Sequence, residues 1–143
     1  MRKRILELLR KSGAEPLSGE EISRQLDVSR TAIWKHIQTL KNEGYDIESV
    51  PKKGYILKEA PNRLFPQEIL SCLKTKWLGR NICYRDSVDS SNNLAKALAN
   101  EGCENGLLVV AEEQGAGKGR LSRGWISPYA KGIWFSVVLK PPF

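Results

Sequence analysis

The chain has 143 residues, of which 41% are hydrophobic and 27% are charged, and its formal net charge is +7. This composition is typical of one folded domain or two small ones and excludes a disordered chain. No run of about 18 apolar residues is present, which excludes a membrane-spanning helix. One histidine and three widely spaced cysteines predict no metal site, and free thiols favour a reducing cytoplasm.

A helix-turn-helix is predicted in the first 45 residues. After a short first helix, Ser18 and Glu21 form a capping box that opens the second helix. Ser29 caps a third helix, which covers about residues 30–43 and ends at Gly44. Two helices joined by so short a turn are typical of the helix-turn-helix motif.

The third helix has one apolar face and one polar face. Ile33, Ile37 and Leu40 share the apolar face and predict its buried side. Amide, lysine and threonine side chains on the opposite face are those that contact base edges and phosphates. We therefore predict DNA contacts from Arg30, Thr31, Trp34, Lys35 and Gln38. A merely solvated polar face is the alternative.

Residues 45–57 predict two short strands around a Pro-Lys-Lys-Gly turn. Lys52 and Lys53 at the tip suit a wing that contacts phosphates. Residues 1–60 are therefore predicted to form a winged helix-turn-helix domain, although winged helices also mediate protein contacts.

The second predicted domain, residues 61–143, mixes helices with strands without a regular βαβ repeat, which indicates the α+β class. Its predicted elements are a helix from Pro66 that includes Leu73, strands at Ile82–Tyr84, Gly106–Ala111 and Ile133–Leu139, a polar loop at 86–93 and a helix at 94–100. The last strand is apolar on both faces and is expected to have neighbours on either side.

Two segments of this domain are candidates for ligand binding. Gln114–Trp125 is predicted as a glycine-rich basic loop, in which Lys118, Arg120 and Arg123 can pair with a carboxylate or phosphate. It matches neither the P-loop nor the dinucleotide fingerprint. Ser90-Ser91-Asn92 lies at a predicted helix start, where it either caps the helix or binds a neutral polar ligand group.

Three stretches of the chain together resemble the bifunctional biotin–protein ligases that also repress the biotin operon. Residues 29–40 with 50–55 are similar to the repressor domain of that family. Asp89-Ser90-Ser91-Asn92 resembles its Asp-Ser-Thr-Asn biotin loop. Gln114–Trp125 resembles its Gln-x-x-Gly-Arg-Gly-Arg-x-x-Arg-x-Trp ligand loop, with Lys118 in place of the commoner arginine.

The resemblance implies roles for individual residues. Those implied to bind biotin and its adenylate are Ser90, Ser91, Asn92, Gln114, Gly117, Lys118, Gly119, Arg120 and Trp125. Lys118, Arg120 and Arg123 are implied to act in catalysis, by neutralising the carboxylate and phosphate and by closing the loop. The second domain is then the start of a biotin/lipoyl-ligase-type mixed α/β catalytic domain.

The implied activity has two steps, in which biotin and ATP, with Mg²⁺, give biotinyl-5'-AMP, and a lysine of the biotin carboxyl-carrier protein then accepts the biotin. The implied protein is cytoplasmic, binds operator DNA and forms a homodimer when the adenylate is bound as corepressor, with no membrane partner. The family's Lys-x-Pro-Asn-Asp segment is not in the sequence, so we expect a truncated catalytic domain that is inactive alone. The alternatives are a non-catalytic biotin-sensing regulator and a lipoate-ligase relative.

Overall fold

The computed structural model describes residues 1–142. Contacts divide the chain into two compact units, Met1–Asn62 and the part from Arg63 onward. Phe143, the last residue of the predicted second domain, lies outside the described residues. Within the described range, no helix is long and apolar enough to cross a membrane.

The first unit consists of three helices and a two-stranded hairpin. These elements are α1 (Arg2–Ser12), α2 (Gly19–Leu26), α3 (Arg30–Asn42), β1 (Asp46–Val50) and β2 (Gly54–Glu59). Ser18 Oγ accepts a hydrogen bond of 3.0 Å from Glu21 N, and Ser29 Oγ accepts one of 3.1 Å from Ala32 N. The predicted helices, both N-caps and the hairpin are therefore confirmed.

The core of the first unit is built from the apolar faces of the three helices. Ile33, Ile37 and Leu40 of α3 are fully buried, as predicted. They are joined by Ile5, Leu6, Leu9, Ile22 and Leu26 from α1 and α2, and by Tyr45, Ile47 and Ile56 from the hairpin region. Burial of each such large aliphatic side chain contributes about 1.5–3 kcal/mol, so this core fixes α3 with its polar face outward.

Gly54 is required where the hairpin meets the chain before α2. Its φ is +129°, and a Cβ atom there would lie 2.1 Å from the Leu17 carbonyl oxygen. Gly54→Ala is therefore expected to destabilise the first unit by about 1–3 kcal/mol more than Gly13→Ala, because Gly13 also has positive φ but has open space around it. Urea denaturation of both variants measures the difference. Equal losses would contradict this account of the Leu17 contact.

The second unit is a four-stranded mixed sheet with two helices. Its elements are α4 (Pro66–Cys72), β3 (Ile82–Val88), α5 (Ser91–Asn100), β4 (Leu108–Lys118), β5 (Gly124–Ser127) and β6 (Trp134–Val137). β3 is parallel to β4. The other edge of β4 pairs antiparallel with β6 along its first half and with β5 along its second half. Ala95 of α5 and Val109 of β4 are buried together in the core of this unit.

The predicted loop at Gln114–Trp125 is mostly strand, and the prediction is wrong on this point. β4 continues through Lys118, and Gly117 and Lys118 pair with Trp125 and Gly124 of β5. A Cβ atom at Gly117 would lie 2.5 Å from the Trp125 carbonyl oxygen, so glycine here allows two strands to approach closely. The turn itself is confined to residues 119–123, which include a short 3₁₀ segment.

Other boundaries also differ from prediction, and α5 begins at Ser91, three residues before its predicted start. α4 ends at Cys72, and Leu73 is extended, with ψ 123°, beside Gly79. Residues 86–88, predicted as loop, extend β3, because Ser87 and Val88 pair with Glu113 and Gln114 of β4. The final strand is shorter than predicted and, in the part of the chain described, pairs only with β4, which leaves Ile133 and Phe135 more than half exposed.

Candidate functional site

A cavity of about 440 Å³ lies beside the start of α5, where β4, β5 and β6 meet. We call it the sheet pocket. Its lining consists of Ser90, Ser91, Asn92, Gln114, Lys118, Trp125, Ile133, Trp134, Phe135 and Ser136. Six of the nine residues predicted to bind a ligand are therefore brought together here, although they come from segments more than twenty residues apart.

Hydrogen bonds hold the polar side of the sheet pocket in place. Gln114 Oε1 accepts a bond of 2.7 Å from Ser91 N, and Gln114 Nε2 donates one of 2.9 Å to Ser127 Oγ. The hydroxyl oxygens of Ser91 and Ser136 lie 2.8 Å apart. Ser90 accepts a bond of 3.4 Å from Asn93 N and therefore caps α5. Because the amide of Gln114 joins α5 to β5, the pocket has a fixed polar wall made of neutral groups.

A charged group stands at one side of this wall. Lys118 Nζ donates a 3.1 Å bond to Asn93 Oδ1, and Asn93 Nδ2 donates a 3.0 Å bond to Asp89 Oδ2. The bond from Asn93, with a bond from the Ser90 backbone and the charge of Lys118, lowers the pKa of Asp89 below its ordinary value. Lys118 is thus an exposed cation, held near the helix start, that can pair with an anionic ligand group.

The opposite side of the sheet pocket is apolar, and Trp125 is its only predicted residue among those described. It is formed by Trp125, Ile133, Trp134 and Phe135, with Ser136 at its polar margin. Trp125 is 58% exposed and Phe135 is 55% exposed, so both can contact a ligand. Trp134 and Ser136 lie two positions apart and therefore on one face of β6, which is the signal that could have placed this pair beside the pocket.

The structure does not bring the predicted arginines into the sheet pocket. Arg120 and Arg123, with Gly119, line an adjacent cavity of about 550 Å³ that shares Trp125 with it. Gly117 lies instead in a third cavity of about 490 Å³ between β4 and β5. Within the 119–123 turn, Leu121 and Ser122 have φ of 56° and 62°. Residues other than glycine rarely adopt a backbone conformation with positive φ.

A second candidate surface lies on the first unit, between α3 and the hairpin. This groove, of about 690 Å³, is lined by Arg30, Thr31, Trp34, Lys52 and Lys53, together with Ser18, Gly19 and residues of the hairpin. Trp34 is 53% exposed in it. Two predicted DNA contacts, Lys35 and Gln38, are not among the lining residues; Lys35 is exposed and Gln38 is half-buried.

The hairpin tip has an unusual backbone. Lys53 N donates a 3.1 Å bond to Val50 O across the turn, and Lys52 has φ 63°. Glycine is the usual residue at such a position, because a side chain with positive φ is strained. Strained residues of this kind are found at functional sites. The positive φ of Lys52 therefore lowers local stability, while its side chain places a positive charge at the exposed tip of the hairpin.

Comparison with known proteins agrees with this division of the chain. Residues 2–56 match the model of an HTH domain, and residues 84–143 match the model of the biotin/lipoate A/B protein ligase family. The first unit is therefore of the HTH type, and residues 84–143 are similar to the biotin/lipoate A/B protein ligase family. The predicted fold class is confirmed.

The chain is also similar to complete proteins. It is 45% identical over 141 residues, 99% of this chain, to the bifunctional ligase/repressor BirA of Bacillus spizizenii, and the match to BirA of Bacillus subtilis has the same values. BirA of Escherichia coli is 38% identical over 120 residues. The predicted resemblance is therefore confirmed. The chain spans 43% of the length of the two Bacillus relatives.

A solved structure gives a more limited match. The biotin protein ligase from Aquifex aeolicus in complex with biotin and ATP is 32% identical, over 39% of this chain and 22% of that chain, with a TM-score of 0.33. That score is too low to compare the folds, so the assignment rests on the sequence matches.

Proposed function

We propose that the protein carrying this chain is an ATP-dependent biotin–protein ligase that also represses transcription by binding operator DNA. The observation that carries the proposal is the convergence of Ser90, Ser91, Asn92, Gln114 and Lys118 in the sheet pocket, opposite an aromatic wall. Neutral donors and acceptors suit the polar ring of biotin, and apolar rings suit its hydrocarbon part. Similarity to proteins named bifunctional ligase/repressor supports the same function.

The proposed reaction begins when a carboxylate oxygen of biotin attacks the α-phosphorus of ATP. The bond to the β-phosphate breaks, pyrophosphate leaves, and biotinyl-5'-AMP remains bound. The amine of a carrier-protein lysine then attacks the acyl carbon, and AMP leaves. Both steps need cations beside developing negative charge and exclusion of water from the adenylate. Mg²⁺ enters the proposal together with ATP.

We assign the cations by position. Lys118, at the polar side of the sheet pocket, is proposed to pair with the biotin carboxylate. Arg120 and Arg123, in the adjacent cavity across Trp125, are proposed to pair with the phosphate and to close the 119–123 turn over it. Gly117 and Gly119 are proposed to let the backbone approach the adenylate.

Release of pyrophosphate when biotin and ATP are added to the intact protein tests whether the protein is a ligase or a non-catalytic biotin sensor. Substitution of lipoate for biotin tests the relation to lipoate ligases.

Arg120→Gly is expected to weaken biotin binding and to let biotinyl-5'-AMP escape. The side chain is exposed beside Trp125, so its loss removes a phosphate partner without removing a buried group. Free adenylate acylates lysines indiscriminately, so biotin on bystander protein measures the escape. Arg85→Gly, at an exposed position of β3, is the matched control. Equal bystander labelling by the Arg120 variant, the control and the parent would remove Arg120 from the proposed site.

For the HTH domain we propose duplex DNA in the groove between α3 and the hairpin. Arg30, Thr31 and Trp34 would contact the duplex from α3, and the Lys52–Lys53 tip would contact phosphates. Lys35 and Gln38 lie on α3 outside the groove lining, and we propose that they reach the base edges directly. A cytoplasmic homodimer, formed when the adenylate binds, is proposed to bind the two half-sites of the operator.

Replacing Lys52 and Lys53 together by alanine is expected to weaken binding to all DNA sequences. Each phosphate contact contributes a slope of about 0.9 to the dependence of log K on log salt, so the slope should fall by about 2. Fluorescence anisotropy with operator and random duplexes, over a range of salt, measures both effects. Lys11→Ala on α1 is the control for charge alone. An unchanged slope in the double variant would exclude the tip from the interface.

A further inference from the structure

A cluster of charged and aromatic side chains lies outside the lining of the sheet pocket. We call it the Arg63 cluster, and its members are Arg63, Phe65, Tyr84, Asp86, Glu112 and Tyr129. The Arg63 guanidinium donates bonds to Tyr84 Oη (2.9 Å) and Asp86 Oδ1 (2.7 Å). Its Nε lies 3.0 Å from Glu112 Oε1, which is ion-pair distance, although that N–H makes no hydrogen bond within residues 1–142.

Aromatic rings enclose the guanidinium. Its carbon lies 5.0 Å from the Phe65 ring centroid and 4.9 Å from that of Tyr129. Burial lowers the pKa of Arg63, but its interactions with Glu112 and Tyr84 outweigh burial, and the net pKa lies above the ordinary value. Burial also raises the pKa of the Tyr84 phenol, so this hydroxyl stays protonated and can donate. Arg63 and Tyr84 therefore both stay protonated and remain hydrogen-bond donors across the physiological pH range.

The Arg63 cluster is joined to the sheet pocket through the connection between β5 and β6. Tyr129 lies on this connection, and Ala130 N donates a 2.9 Å bond to the backbone carbonyl of Glu112. Trp134, which lines the pocket, donates from Nε1 to Pro128 O at 3.2 Å. A displacement of the connection would therefore move a wall of the pocket.

The cluster also meets β4 two residues before Gln114. Glu112 is 1% exposed, and its Oε1 accepts bonds from Leu64 N at 2.9 Å and Tyr84 Oη at 3.0 Å. Strand alternation places its side chain on the same face as that of Gln114. A buried ion pair adds little net stability, because desolvation offsets the attraction, but its directional bonds fix geometry.

We propose that Arg63 is a positioning residue for the sheet pocket, which acts by holding the β5–β6 connection against β4 so that Trp134 and Gln114 keep their places in the pocket lining. The inference rests on the proposed biotin site for its ligand and on the contacts above for its mechanism. Arg63 does not touch the ligand; it acts through Tyr129 and Glu112.

Arg63→Ala and Arg63→Lys in the intact protein test the proposal, with Lys131→Ala as control, since Lys131 is exposed on the same connection. Biotin binding is measured by calorimetry on folded protein, and the environment of Trp134 by the NMR shift of its indole N–H. Displacement of a pocket wall should weaken binding about 10- to 100-fold in Arg63→Ala. Arg63→Lys, which keeps the charge but loses the planar fork, should recover part of the affinity, and the control should match the parent.

The outcomes separate this inference from the proposed function. A parent that binds no biotin contradicts the proposed function, and the Trp134 indole shift then still tests the positioning. If folded Arg63→Ala binds biotin as tightly as the parent and leaves that shift unchanged, the inference is wrong, whatever happens to its melting temperature. If Arg63→Ala does not fold, the biotin affinity and the Trp134 indole shift of Arg63→Lys test the inference instead. Parental values of both in Arg63→Lys would then contradict it.

Discussion

Glu112→Ala is expected to lower the free energy of unfolding of the second unit by about 3–5 kcal/mol, the usual cost of removing one partner of a buried ion pair. The carboxylate is almost fully buried and accepts hydrogen bonds from Leu64 N and Tyr84 Oη. Without it, the carboxylate that remains beside the Arg63 cation is that of Asp86, which is 69% exposed and therefore screened by water.

Glu113→Ala is the matched control for this prediction. Glu113 is the next residue on β4, its side chain points to the other face of the sheet, and it is only half-buried. Hydrogen exchange of the Val109 and Val110 amides under increasing urea reports the stability of the sheet separately from the HTH domain. If Glu112→Ala costs no more than Glu113→Ala, the Arg63 cluster does not stabilise this unit.

Gln114→Ala is expected to weaken biotin binding by about 10- to 100-fold, because loss of one hydrogen-bonding partner at a buried site costs about 1–3 kcal/mol. The Gln114 amide accepts from Ser91 N and donates to Ser127 Oγ, so its removal leaves Ser91 N of the pocket and Ser127 Oγ of the neighbouring cavity without this partner. Calorimetric titration of the intact protein with biotin measures the change.

Asn100→Ala, at the exposed end of α5, provides the control for the loss of an amide. Gln114→Glu is informative as well, because a carboxylate can still accept from Ser91 N but cannot donate to Ser127. It should therefore bind biotin better than Gln114→Ala and less well than the parent. Undiminished binding by the alanine variant would show that the pocket does not hold biotin through Gln114.

The HTH domain was predictable because its signals are local. Ser18 and Ser29 stand immediately before the first residues of α2 and α3. Ile33, Ile37 and Leu40 are spaced so that they share one face of α3. The hydrophobic and capping signals therefore lie within a few residues of the structure that they specify.

The sheet was less predictable because its signals are distant in sequence. The glycine-rich composition of residues 114–118 is typical of a loop, and only pairing with Trp125 and Gly124 makes it a strand. Propensity does not report such pairing, which depends on tertiary contacts. For the same reason, the ion pair of Arg63 with Glu112, 49 positions further along the chain, left no pattern in the sequence.

The candidate site shows the same limit. The motifs predicted Ser90, Ser91, Asn92, Gln114 and Lys118, and the fold brings these residues together. The aromatic wall from β6 was missed. Trp134 and Phe135 lie in an apolar segment, which predicts buried core residues when the neighbouring strands are not known.

The most direct test of the proposed biotin site is hydrogen–deuterium exchange of the intact protein with and without biotin. We predict that biotin slows exchange at residues 90–93, 114–118 and 124–136, which carry both walls of the sheet pocket and the connection between them, and leaves the HTH domain's α1 unchanged. Tight biotin binding with no slowing in these three segments would contradict the account.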